Sequence, residues 1–268
     1  MIAPIDKIKS LLNEDIVSLF GDDVINNAYT EAFKSTIGII EDEHIIDSLS
    51  TAGLERAQYI VVHSNNTDND CIYNNSGFSD NRRVLSVLRK NTHGTGADNL
   101  YYEASKLPHT IGLTQAQNQN SIYYENDRWN PKYYFDDLGG MVILPKNDLG
   151  GLTAGLAQGK IVFITFPDFT AAPEGDFRYT FELNGLNFSS ITKENESVLF
   201  YGIPGGAKEL LYIQMCLNLV QNYVADFVYD EEDTELLALA KDHAAALMAR
   251  KQEELNIVLA KYSNKRAE

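Results

Sequence analysis

Residues 207–228, AKELLYIQMCLNLVQNYVADFV, constrain the fold more than any other segment of this chain. Leu210, Ile213, Leu217, Val220, Val224 and Phe227 step by three and four residues down one side, and Leu211, Met215, Cys216, Leu219 and Tyr223 occupy the other. A helix apolar on most of its circumference belongs in an interior, between layers of one protein or between subunits. Gln214, Asn218, Gln221, Asn222 and Asp226 interrupt it, and no stretch of the chain reaches about 18 apolar residues, so a membrane span is not expected. Pro204-Gly205-Gly206 opens this helix, and Asp230-Glu231-Glu232-Asp233 marks a joint with an N-cap at Asp230 or Asp233. A last helix follows with Leu237, Ala240, Ala244, Leu247, Leu255 and Val258 on one stripe. The short joint predicts an antiparallel helical hairpin over 204–268.

The first 56 residues also read as helical. Ile5, Ile8, Leu12, Ile16 and Leu19 recur at helical intervals, Gly21 offers a stop, and Asp22-Asp23 offer a new N-cap. A second helix from about Asp23 to Ile40 carries Val24, Ala28, Ala32 and Phe33 inward, and 44–56 form a short third helix bounded by Gly53. Residues 57–203 change character. Strands are expected at Tyr59–Val62, Val84–Leu88, Ser121–Tyr124, Lys160–Phe166 and Phe177–Phe181, with Pro167 ending the clearest of them. Tyr133–Phe135 faces Met141–Leu144 across Asp136-Asp137-Leu138-Gly139-Gly140, a hairpin pattern. HSNNTDNDCIYNNSG and the stretch 146–159 read as loop. The expected fold is α+β: N- and C-terminal helices packing as a bundle, with a loop-rich, mainly antiparallel β region inserted between them. The segments are 1–56 helical, 57–203 β-rich and 204–268 a helical hairpin.

Charge narrows the function. Lys+Arg number 22 against Asp+Glu 38, a net charge of −16. So acidic a surface repels phosphate backbones. Cys71 and Cys216 are too few and too distant for a disulfide framework or zinc site, and the N-terminal segment does not read as a signal peptide. His44, His63, His93, His109 and His243 form no H-x-x-x-H pair. Gly150–Lys160 fails as a phosphate loop because Ile161 follows Lys160 and a strand comes next, and no G-x-S-x-G elbow exists. Asp68-Asn69-Asp70 lacks the bidentate Glu of a calcium loop. Asp22-Asp23, Asp136-Asp137 and Asp230–Asp233 fall at turns or helix starts, where acids cap helices. The N-x-[ST] triplets at Asn65, Asn74, Asn187 and Asn195 mark polar loops. No catalytic, metal or cofactor-binding residue is assigned, no cofactor is expected, and the chain is not read as an enzyme. The aromatic cluster Tyr123-Tyr124, Trp129, Tyr133-Tyr134-Phe135 has only Arg128 and Lys132 among several acids, which suits core or protein–protein packing better than nucleic-acid stacking.

Three segments resemble the head–tail connector (neck) proteins of tailed bacteriophages, the adaptor or ring proteins below the portal. RRVLSVLRK (82–90) resembles the strand opening their middle region. SIYYENDRWNPKYYFDDLGGMVILP (121–145) looks like their β-hairpin. Residues 202–262, from GIPGGAKELLYIQ to VLAKY, are similar to their C-terminal helical hairpin. The resemblance spans about two-thirds of the chain, is one of pattern, and looks closest to the large ring proteins of crAss-like gut podoviruses. It implies a structural virion protein in the neck, assembled in the host cytoplasm. Such a protein forms a homo-oligomeric ring of about twelve copies, contacts the portal and other neck or tail proteins, and lets DNA pass without specific binding or any membrane. Ring contacts bury apolar helix faces between neighbours. The interface residues expected on this basis are Leu211, Met215, Leu219, Tyr223, Trp129, Tyr133, Tyr134, Tyr262, Lys265 and Arg266. The basic end, Lys261, Lys265 and Arg266, either docks on an acidic neighbour or complements the C-terminal end of the last helix. With about twelve copies the ring carries roughly −190 charges, repulsive to DNA in a lumen.

Two other classes compete. A ligand- or carbohydrate-binding β module with helical caps has Trp129 and the tyrosines as support. An enzyme with dispersed carboxylates has only the acidic composition.

Overall fold

The computed structural model describes residues 3–51, 58–63, 71–73, 82–90, 100–108, 110–112, 130–135, 141–144, 158–167, 169, 186–227 and 234–263. The protein is a mixed helix-and-sheet fold with helices at both ends and antiparallel sheets between them. It divides into a helical unit, residues 1–56 with 166–268, and a β unit, residues 57–165. Residues 166–203, read from sequence as the end of the β-rich region, therefore belong with the helices. The described part of that stretch holds two 3-10 segments, Phe188–Ser190 and Lys193–Phe200.

The N-terminal pattern folds with one interruption. Helix α1 spans Pro4–Leu12 and α2 spans Glu14–Ser18. Between them Asn13 takes a positive φ of 93°, and its side chain accepts the Asp15 N–H, capping α2. Asn tolerates this conformation and supplies the cap, so the stripe from Ile5 to Leu19 is broken although its spacing is helical. Ile8, Leu12 and Ile16 are buried, whereas Leu19 is 48% exposed. Helix α3 spans Asp22–Ile37, with Gly21 rather than an aspartate at its N-cap, and α4 spans Asp42–Thr51.

The C-terminal pair is α5, Lys208–Phe227, preceded by a 3-10 turn at Gly205–Ala207, and α6, Thr234–Tyr262. The acidic joint lies outside the described residues. Helix α5 packs along α3 and α6 and touches α1. Its contact with α3 is fixed by Asn218, whose Nδ2 donates to Ala28 O at 3.2 Å.

In the β unit, β1 (Gln58–His63), β8 (Gln158–Thr165), β3 (Arg82–Lys90) and β4 (Tyr101–Glu103) form one sheet in the order β1-β8-β3-β4. The second sheet has the order β2-β7-β6-β5: β2 (Cys71–Tyr73), β7 (Met141–Leu144), β6 (Lys132–Phe135) and β5 (Ser105–Lys106). All pairs are antiparallel except β5–β6. The expected hairpin is present, with Tyr133 opposite Ile143 and Tyr134 opposite Val142. Strand β2 lies inside a stretch read from sequence as loop; the polar residues around Cys71-Ile72-Tyr73 hide a strand too short to show a period. The segment 101–106 serves both sheets. Its first half pairs with β3 and its second with β6, and Ala104 between them donates its N–H to Val87 O at 2.7 Å. Such a crossing ties two edges together without a turn. Val87, Ala104, Met141, Ile143, Ile161 and Phe163 fill the space between the sheets. A bulge between Val84 and Ser86 resets the alternation of β3, so Leu85, Val87 and Arg89 are its buried residues. The expected strands Ser121–Tyr124 and Phe177–Phe181 lie outside the described residues.

Candidate functional site

The residues expected to meet a partner fall into three groups. Leu211, Met215, Leu219 and Tyr223 are 1%, 0%, 0% and 0% exposed within the single chain. Of the two interiors open to an apolar helix, α5 occupies the one inside its own protomer. Its circumference is covered by α1, α3 and α6, which leaves these four no area for a neighbour. Tyr133, Tyr134 and Tyr262 also have partners in the chain. Tyr134 is buried, and its ring lies so close to Gly112 that a Cβ there would clash with it. Tyr133 is half-buried against the inter-sheet core and meets Phe135 edge to face at 6.1 Å. Tyr133 and Phe135 thus pack on the inter-sheet core, and Tyr134 is buried on the other face of β6. Trp129, Lys265 and Arg266 lie outside the described residues.

Tyr262 joins three segments of the helical unit. Its carbonyl accepts the Glu41 N–H at 3.0 Å, just before α4 begins. Its ring meets His44 edge-on at 5.3 Å, and its hydroxyl lies where a Cβ on Gly206 would approach to 2.6 Å. A second joint lies at Glu209 in the first turn of α5, which pairs with Lys7 of α1 at 3.4 Å and with Arg250 of α6 at 2.5 Å.

A polar cluster that no sequence motif marks joins the start of α3 to residues 187–189. Asp22, at the start of α3, accepts from Ser189 Oγ at 2.5 Å and from Asn187 Nδ2 at 3.0 Å. Asn26, one turn on, donates to Asn187 Oδ1 and accepts the Phe188 N–H at 2.9 Å. Asn187 was notable only as part of an N-x-[ST] triplet. Its role depends on a residue more than 160 positions away, which no local pattern reveals. Asp22 thus bonds a distant segment in place of the N-cap role expected of it. Nearby, Tyr29 is buried among Phe33, Phe169 and Phe188 and donates to Leu199 O at 2.5 Å.

Three acids of the helical unit hold their protons tightly. Burial raises the Tyr29 hydroxyl well above its ordinary value, with a smaller push from Tyr212. Burial, then Glu196 and Glu209, raise Tyr212, whose hydroxyl donates to Glu196 at 3.3 Å. Burial, then Glu209, raise the Cys216 thiol against the opposing pull of Lys7 and Arg250. A thiol so protonated is a poor nucleophile or metal ligand. Among the described residues, no group of three or more His, Cys, Asp or Glu is placed to hold a metal ion, and no helix is long and apolar enough to cross a membrane. The geometry is that of side chains tying segments together. In comparison with known proteins, no family model, no curated sequence and no solved structure matches this chain.

Proposed function

We propose that this chain is a structural subunit of the head–tail connector (neck) ring of a tailed bacteriophage, of the kind found in crAss-like podoviruses. In this reading its terminal helices act as one bundle, into whose sequence the β region is inserted. About twelve copies surround a channel for DNA and dock on the portal and tail components. The observation that carries the reading is the arrangement of parts. A long apolar helix and an alanine-rich helix share a unit with the N-terminal helices, and a two-sheet module is inserted into that unit. This is the order of segments on which the resemblance rests. The acid excess supports it, since a wall that repels phosphate lets DNA slide. With α5 enclosed, ring contacts fall to other surfaces, among which α6 offers Met248 and Ile257, 54% and 42% exposed. Cryo-microscopy of phage particles that encode this chain tests the proposal. The expected result is a cyclic ring of this chain between portal and tail. Its absence from the particle, or its presence only in the shell or fibres, overturns the reading.

A further inference from the structure

The two C-terminal helices are held very differently. Helix α5 buries Leu210, Leu211, Ile213, Met215, Cys216, Leu217, Leu219, Val220 and Tyr223, most of its circumference, with Gln221, Asn222 and Ala225 exposed. Helix α6 is longer, yet among its described side chains only Ala240, Leu247 and Val258 are fully buried, and Ala240 contributes a single methyl group. Burial stabilises at about 25 cal/mol per Å² of apolar area, so α6, with half-buried Leu239, Leu255 and Leu259 beside this thin stripe, contributes less apolar area of its own than α5 does, although its release also uncovers the α5 face that it covers. Polar ties supplement it. Arg250 meets Glu209 midway along α6, and Tyr262 at its tip accepts from Glu41 N–H and rests on His44 and Gly206. The midway tie is an ion pair at a partly exposed surface, which contributes little. The tip is different. Gly206 has no side chain where the Tyr262 hydroxyl sits, and a Cβ there would push the far end of that ring aside.

We propose that α6 is a releasable arm, clasped at its tip by Tyr262, that opens from the helical unit while α3 and α5 stay folded. Sub-global opening of this kind is expected of an element with few buried apolar contacts. The inference is independent of the neck reading, because it concerns only how one helix is held.

Hydrogen exchange on the full chain tests it. In the unmodified protein the α6 amides should exchange at least about tenfold faster than those of α5, as an opening that spares α5 requires. Tyr262→Ala should accelerate exchange in α6 and at Glu41–Ile45 with α5 unchanged. Gly206→Ala should do the same, because it displaces the tip without removing a contact. Tyr262→Phe, which keeps the ring and the carbonyl, should leave α6 closer to the parent than Tyr262→Ala does. Equal protection of α5 and α6 in the parent overturns the proposal. So does a variant that accelerates both helices alike. Where Tyr262→Ala fails to fold, the comparison within the parent and the Gly206→Ala variant still decide.

Discussion

The helical unit and the β unit use their polar side chains in different ways. In the helical unit these groups span great sequence distances: Tyr29 to Leu199, Asn26 to Asn187 and Phe188, Thr30 to Pro167, Asn218 to Ala28. Among the bonds described in the β unit, the ladders join distant segments and the side-chain bonds Ser86–Glu103 and Lys132–Asn130 are exposed, while Arg89 of β3 is a buried polar side chain. The reason is the backbone. A helix satisfies its own N–H and C=O groups, so it carries nothing that fixes its place beside another helix. Side chains must do that. A strand is located by the same bonds that make it a strand. Point changes at the exposed polar pairs of the β unit should therefore cost less than changes at the buried polar groups of the helical unit, while changes of core volume should injure both.

Core truncation is the largest expected effect and the control on which the comparison stands. Phe33→Ala in the helical unit and Phe163→Ala in the β unit each remove a buried ring. Each should cost about 3–5 kcal/mol by chemical denaturation. A loss below about 1 kcal/mol at either site would mean that the ring is not part of a packed core.

Tyr29→Phe is next and separates the units. It keeps the ring but strands the buried Leu199 carbonyl, at a cost of about 1–3 kcal/mol. Ser86→Ala, which removes a 3.5 Å exposed bond in the β unit, should stay within about 0.5 kcal/mol. Equal losses would break the comparison. Alkali probes the same asymmetry. Tyr29, Tyr212 and Cys216 all have pKa values raised in the folded state. Unfolding lets them lose protons at their ordinary values, about 9–10, so their contribution is complete below that range and is lost as pH rises above it. The melting temperature of the helical unit should fall above about pH 9–10. Tyr212→Phe should lessen that fall, and an unchanged alkaline limb in this variant would remove Tyr212 from the account.

How much of this could be read in advance follows from the same distinction. The helices were legible because burial repeats every three or four residues: Ile8 and Leu12, Ala28 and Ala32, Ile213 and Leu217. So were β8 and the hairpin of β6 and β7, where β-branched and aromatic residues cluster. What failed was where two local preferences compete or where the partner is remote. Asn13 breaks a stripe whose spacing continues through it. Cys71–Tyr73 pairs with β7 inside a run of turn residues. Segment 101–106 changes sheets at Ala104 with no turn residue to announce it. For the candidate interface, the sequence identified an apolar helix but not which of two interiors it occupies. Periodicity records that a face is covered and not what covers it, and α1, α3 and α6 cover this one.

Asn187→Ala should have a smaller effect, because the site is partly exposed. It removes bonds to Asp22 and Asn26 and should cost about 1 kcal/mol, with Phe188 protection reduced in hydrogen exchange. A neutral result would show that the aromatic packing of Phe188 on Tyr29 holds this segment alone.

The smallest expected effect lies at Glu209, and it sets a limit on the comparison. This carboxylate bridges Lys7 and Arg250, so it links α1, α5 and α6, as the polar ties of the helical unit do elsewhere. Yet its partners are 33% and 45% exposed, where water screens the pairs and ordering long side chains offsets much of the attraction. Glu209→Gln should cost no more than about 1 kcal/mol, and less as salt is raised. A larger, salt-independent loss would mean that Glu209 acts from a drier position than its exposure indicates. A small loss that fades with salt confines the rule to buried groups. Side chains then position helices through bonds that water cannot replace, such as Tyr29 to Leu199, and not through every ion pair that happens to join two elements.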